Sequence, residues 1–197
     1  MLKIGITGGM GAGKSVICDL FKVIGIPVFN SDITAKIIIK SDVEIKKQLI
    51  KYFSCDIYLS NGEINKPLFS DMIFNNKEAI SFVNSIVHPA VHRSFNRWID
   101  NQKGNPYVLY ESAIIYESSV NLMLDKVIVV SSPIEIRIKR VMERDSVTLS
   151  KVEERIKNQW SQNRIVELAD YLIVNDNIKL IIPQVLEVHN EIVKQLK

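Results

Sequence analysis

The chain has 197 residues, 47% hydrophobic and 24% charged, with a formal net charge of +3. That length suits one full α/β core with appendages rather than two large domains, and the composition excludes extended disorder. With no apolar run long enough to cross a bilayer and no secretory leader ahead of the first apolar strand, the reading is a cytoplasmic protein with no membrane partner.

Lys3 to Thr7 read as a buried strand, and Val16, Ile17, Leu20, Phe21 and Ile24 recur at helical spacing. Between them stands Gly8-Gly9-Met10-Gly11-Ala12-Gly13-Lys14-Ser15, a phosphate-binding loop pattern in its required strand-to-helix setting. Gly8, Gly9, Gly11 and Gly13 let the backbone take dihedrals closed to other residues and keep side chains away from an anion. Backbone N–H groups and the helix N-terminus then face the phosphates, Lys14 reaches the outer ones, and Ser15 is the expected ligand of the magnesium that accompanies a nucleoside triphosphate. Gly8, Gly9, Gly11, Ala12, Gly13, Lys14, Ser15 and Val16 are therefore the candidate ATP-binding residues. The alternative is a glycine-rich turn that happens to precede Lys-Ser.

Gly25 is a natural helix C-cap, and Ile26 to Phe29 read as a second strand ending in Asn30-Ser31-Asp32. In an open parallel sheet ligands gather at the carboxyl ends of strands, which makes Asp32 the first candidate for a catalytic base. Capping of the following helix is the other reading of Asp32, and both stay open. From Ser41 to about Asn101 the chain is helix and loop. Ser41 and Glu44 have capping-box spacing, Asn61-Gly62 marks a turn, Pro67 suits a first helical turn, and Ile80, Val83, Ile86 and Val87 make an apolar face that Pro89 interrupts or kinks. So long a block between strands reads as an inserted helical lobe for a second substrate. His88 and His92 lie four apart, but Pro89 between them and the lack of a following acid argue for packing or substrate contact over zinc. Cys18 and Cys55 have neither metal nor redox spacing and read as free thiols.

Tyr107 to Tyr110 form a third strand running into Glu111, the shape of a second nucleotide-site motif whose acid binds magnesium directly or through water. Which acid holds the metal stays open. Lys126 to Val130 give a fourth strand. Residues 137–164 carry eight Lys or Arg against four acids, and read as two helices joined by Asp145 to Leu149: one opened by Ser132-Pro133 with Glu135, the next capped by Ser150 with Glu153 and ending near Asn163. Two helices with a short polar joint suit a movable lid. Tyr171 to Val174, closed by Asn175, make a fifth strand before an amphipathic terminal helix that includes Val185, Val188 and Ile192.

Together these motifs resemble the dephospho-CoA kinase family of P-loop kinases over nearly the whole chain. The resemblance rests on the Thr7-Gly8-Gly9 start, Asp32, the Asn61-Gly62 turn before Lys66, the His88-Pro89 pair, Arg137 to Gln159, and Asn175. It implies a three-layer α/β fold with a five-stranded parallel sheet: a nucleotide core at about 1–32, 105–136 and 165–197, a helical acceptor lobe at about 33–104, and a lid at about 137–164. It further implies phosphoryl transfer from ATP to the 3′-hydroxyl of dephospho-CoA with Mg²⁺, by a monomer or small homo-oligomer without nucleic acid. Asp32, Lys14 and Arg140 would be catalytic, Arg144 and Asn175 would join the ATP site, and Asp32, Lys66, His88 and Glu111 would meet the acceptor. Lys66 stands where the family usually has arginine, Glu111-Ser112-Ala113-Ile114-Ile115-Tyr116-Glu117 replaces a Pro-Leu-Leu run while keeping its closing apolar-Glu pattern, and Asn175-Asp176-Asn177 replaces an Asn-Gly ending. Among alternatives, another small-molecule kinase would not need the helical lobe, a GTP switch lacks its Asp-x-x-Gly and Asn-Lys-x-Asp segments, and a nucleic-acid-binding ATPase would use the basic helices with a steep salt dependence.

Overall fold

The computed structural model describes residues 1–73 and 76–196 and divides into two compact units, one of Met1–Asn30 with Gln102–Lys197 and one of Ser31–Asn101. The first unit is built on five strands, β1 (Leu2–Thr7), β2 (Val28–Asn30), β3 (Tyr107–Glu111), β4 (Lys126–Ser131) and β5 (Tyr171–Val174), all parallel in the order β2-β3-β1-β4-β5. Central β1 and β3 are near-continuous apolar runs, as strands covered on both faces must be. β1 leads towards β2 on one side and β3 leads to β4 on the other, and such a divergence opens a crevice at the carboxyl ends of adjacent strands. One face of the sheet is covered by α1 (Lys14–Val23) and a long C-terminal helix at Ile181–Lys194, through Ile17, Cys18, Phe21, Val185, Val188 and Ile192 packed on Ile4, Ile6, Leu109, Ile128 and Ile173. Gly25, at φ 88°, closes α1: its N–H bonds Lys22 O and the next N–H, of Ile26, reaches Phe21 O, the paired bonds of a Schellman end.

The second unit begins at once after β2. The expected second strand stops at Asn30, and α2 (Ser31–Ser41) follows without a loop, so Asp32 lies in a helical first turn instead of at a strand end. α3 (Val43–Tyr52) is capped by Asp42, whose carboxylate accepts from the N–H groups of Glu44 and Ile45 at 3.0 Å. The expected Ser41 cap is not formed, because Ser41 Oγ donates back to Ile37 O at 2.7 Å and closes α2. The Asn61-Gly62 turn is present, with Gly62 at φ 79°, and Pro67 sits in the first turn of α4 (Lys66–Ile73). α5 (Lys77–Asp100) runs through Pro89 as one helix, since that proline occupies its exposed side where the missing N–H costs least. Its buried stripe is Ala79, Val87, Ala90, Val91 and Phe95, whereas Ile80 is 42% exposed and off it. Stacking of Tyr52 on Phe82 and the edge contact of Phe53 with Phe69 tie α3, α4 and α5 together.

The basic segment departs most from expectation. It forms three helices: α6 (Ile134–Asp145), α7 (Leu149–Lys157) and α8 (Gln162–Glu167), followed after β5 by α9, the C-terminal helix already described. Pro133 precedes α6 as its N-cap without a capping bond, because the Ser132 side chain is buried against Arg140. Thr148 stands at the α7 N-cap in place of Ser150, and Asn158 ends that helix well short of Asn163. Ser161 caps α8 by accepting from Arg164 N–H, an N-cap signal hidden inside the expected second helix. Among the described residues, no helix is long and apolar enough to cross a membrane.

Leu109 is fully buried at the centre of the sheet. Leu109→Ala should lower the unfolding free energy by about 2–5 kcal/mol, read from the denaturant midpoint at an unchanged m-value.

Candidate active site

The phosphate loop joins β1 to α1, and Lys14 is the first helical residue. Gly13, at φ 91°, is the N-cap, and a Cβ there would collide with the Asn175 amide. Gly9 has no positive φ; it is glycine because a Cβ would run into the Arg137 guanidinium. Its reason is close packing and not the backbone freedom expected of it.

Arg137 is 5% exposed, and it donates from Nε to Met10 O at 3.0 Å and from Nη1 to Gln162 Oε1 at 3.5 Å. Burial lowers its pKa from the ordinary arginine value. It is thus a post behind the loop, where the basic run had suggested a residue of the lid. Asn175 is similarly buried, donating from Nδ2 to Ala12 O at 2.9 Å and accepting from Arg140 Nη2 at 3.1 Å. Gln159 Oε1 accepts from Met10 N–H at 2.9 Å. Gln162 carried no motif signal, and Gln159 and Asn177 were marked only as the ends of longer stretches.

Arg140 also bonds Asn177 Oδ1 at 2.6 Å, with longer contacts to Gly11 O and Ser132 Oγ at 3.4 Å. Asn177, at φ 65°, takes the left-handed position for which asparagine substitutes comparatively well for glycine. Every acceptor so named for Arg140 is a neutral oxygen. Arg144 is engaged differently: its Nε and Nη2 clasp both oxygens of Asp145, at 2.7 and 3.1 Å, and Asp145 also accepts from Arg155. The bond from Arg144 is the main cause holding the Asp145 carboxyl below the usual range.

Lys14 Nζ donates to Gly8 O at 2.8 Å. Ser15 Oγ reaches Glu111 Oε1 at 3.5 Å, a long bond, and Asn30 Nδ2 donates to Oε2 at 2.6 Å. Glu111 is 7% exposed at the carboxyl end of β3. One turn on from Ser15, the Cys18 thiol is pushed up by burial and then by the negative Glu111, to which it hydrogen-bonds. A serine hydroxyl beside a buried carboxylate is a hard-oxygen pair of the kind magnesium accepts when phosphates complete its shell. Beside the loop, a pocket of about 470 Å³ is lined by Val16, Leu20, Asn175, Ile178, Leu180 and Pro183. Val16, on the wall of this pocket, is 53% exposed.

Asp32, Lys66 and His88 lie in the helical unit: Asp32 and Lys66 exposed in the first turns of α2 and α4, His88 half-buried on α5. Lys66 helps Lys40 hold the Glu63 carboxyl low, Lys40 being the main cause through a 2.7 Å bond. His88 and Pro89 line an open groove of about 580 Å³ with Lys77, Ser81 and Asn84. Burial lowers the pKa of both His88 and His92, and His92 lowers that of His88 further. No three His, Cys, Asp or Glu side chains among the described residues could together hold a metal ion.

Two outcomes follow. Gly9→Ala and Arg137→Ala should each lower stability, but the double variant should lose at least about 1 kcal/mol less than the sum, because truncating Arg137 empties the space the new methyl enters; urea unfolding of all four proteins checks this. Since the two histidines bind protons less readily folded than unfolded, the unfolded chain holds more protons as pH falls through about 6.5. Their contribution to stability is therefore present above that pH and declines below it, which melting curves between pH 7.5 and 5.5 should show and a His88→Gln/His92→Gln protein should show less.

The dephospho-CoA kinase family model matches residues 2–180. The dephospho-CoA kinase of Bacteroides fragilis strain YCH46 is 37% identical over 186 residues, covering 94% of this chain and 90% of that protein. Among solved structures, TT1252 from Thermus thermophilus superposes with a TM-score of 0.83 over 100% of this chain and 98% of that one, and the dephospho-CoA kinase from Campylobacter jejuni with 0.72 over 99% and 98%. Both are 23% identical to this chain and speak for the fold. On the family match and the identity to its relatives, the chain belongs to the dephospho-CoA kinase family.

Proposed function

We propose that this chain is a cytoplasmic enzyme that transfers the γ-phosphoryl group of ATP to the 3′-hydroxyl of the dephospho-CoA ribose, giving coenzyme A and ADP. The observation that carries the reading is the meeting of Ser15, at the start of α1, with buried Glu111 at the carboxyl edge of the sheet, beside a phosphate loop braced from behind. Phosphoryl transfer asks for positioning and charge neutralisation more than covalent chemistry. In this reading the loop amides and Lys14 hold the β and γ phosphates, and the apolar pocket at Val16 and Leu180 takes the adenine. Ser15 and Glu111 hold the Mg²⁺. When bound, that ion neutralises charge on the phosphates.

Arg140 is the better phosphate arginine of the two candidates. A phosphate oxygen outcompetes the neutral oxygens that Arg140 now holds, because its negative charge adds Coulombic attraction to the hydrogen bond and its geometry allows a two-point contact. Arg144 would first have to leave a two-point grip on Asp145. Asp32 takes the proton of the ribose hydroxyl as it attacks, and Lys66 and His88 contact the acceptor.

The deciding experiment is magnesium-dependent ADP release with dephospho-CoA, adenosine, AMP, CMP or no acceptor. Release that requires dephospho-CoA and yields coenzyme A is expected; equal release with a nucleoside or without acceptor would refute the reading. Asp32→Asn should cut kcat by about 10²- to 10⁴-fold with ATP affinity retained. Arg140→Ala should lower kcat more than Arg144→Ala does, and the reverse order would exchange their roles.

A further inference from the structure

Asn30 and Glu111 are the last residues of neighbouring parallel strands, β2 and β3, and the register pairs them directly. Side chains at paired positions leave the same face of a sheet, so carboxamide and carboxylate meet without help from a loop. The 2.6 Å separation is short for an N–H donor, and the bond runs to Oε2. Oε1 is the oxygen on the Ser15 side.

The terminal torsion of a glutamate is broad and roughly two-fold, so an unsecured carboxylate does not keep its two oxygens distinct. A donor on one oxygen removes that freedom. Asparagine suits the task because it donates, which aspartate cannot do when ionised, and because it is neutral, so the full negative charge of Glu111 remains available to a cation. A lysine or arginine at position 30 would compete electrostatically with the ion instead.

We infer that Asn30 is a positioning residue for phosphoryl transfer: its amide holds Oε2 of Glu111 so that Oε1 is presented to the metal shared with Ser15. This rests on the reading of Glu111 as a metal ligand. Partners of this kind behind a metal-binding carboxylate are commonly worth about 10- to 100-fold in metal affinity.

The test measures Mn²⁺ binding to the ADP-saturated protein by the electron paramagnetic resonance of free Mn²⁺, in wild type, Asn30→Ala, Glu111→Ala and the double variant, alongside Mg²⁺ titrations of the rate. Asn30→Ala should weaken Mn²⁺ binding about tenfold and raise by the same factor the Mg²⁺ needed for half-maximal rate, with lost rate regained at high Mg²⁺. The double variant should bind no more weakly than Glu111→Ala, and Asn30→Ser, which keeps a donor, should fall between wild type and Asn30→Ala. Should Asn30→Ala not fold, Asn30→Ser makes the same comparison. If Glu111→Ala weakens Mn²⁺ binding and neither Asn30 variant does, the positioning role is wrong while the ligand reading stands. If Glu111→Ala leaves Mn²⁺ affinity unchanged, both are wrong. A double variant weaker than Glu111→Ala would show Asn30 acting independently of Glu111, which also overturns the inference.

Discussion

The rest of the nucleotide unit depends on how the polar groups of the phosphate loop are satisfied. A loop outside regular structure leaves its carbonyls without helix or sheet partners, so they need partners from elsewhere. Here Arg137 takes Met10 O, Asn175 takes Ala12 O, Arg140 reaches Gly11 O and Lys14 bonds Gly8 O, while Gln159 receives the Met10 N–H. The glycines are the other half of the arrangement. At positions 9 and 13 their missing side chains are the space that Arg137 and Asn175 occupy.

This bracing changes the meaning of the basic segment. Its charge suggests a solvated lid, yet Arg137 is buried behind the loop, Arg140 lies against the end of β5, and Arg144 with Arg155 is spent on Asp145. Three arginines at helical spacing have three different occupations, set by which neighbours each meets. The end of the segment is anchored as well. The backbone N–H of Trp160 donates to Glu117 Oε1, its ring stacks on Tyr116, and the Arg164 guanidinium lies over that ring, 3.3 Å from its centre.

The same logic extends to the ends of β5 and β3. Asn177 tolerates a left-handed backbone, and its side chain makes a bond to Arg140 that a glycine in that conformation could not make. Glu111 reaches Ser15 at the strand end where the second nucleotide-site acid is expected, and the amide of Asn30 bonds its other oxygen.

Contiguous residues were enough to read the phosphate loop, its flanking strand and helix, the five strands and the terminal helix, because each is marked by a period or by turn chemistry within a dozen residues. Helix ends were read less well: Ser41, Ser132 and Ser150 each had a capping spacing, and each was overruled by a neighbour that competed for the backbone or the side chain. Contacts between distant residues left no local trace. Asn30 meets Glu111 across 81 positions and Arg137 meets Met10 across 127, and only the parallel register and the packing of α6 behind the loop bring them together. Sequence therefore settled which chemical groups are present and in what local setting, and tertiary structure assigned their tasks, because a hydrogen bond depends on distances of about 3 Å that separation along the chain does not encode.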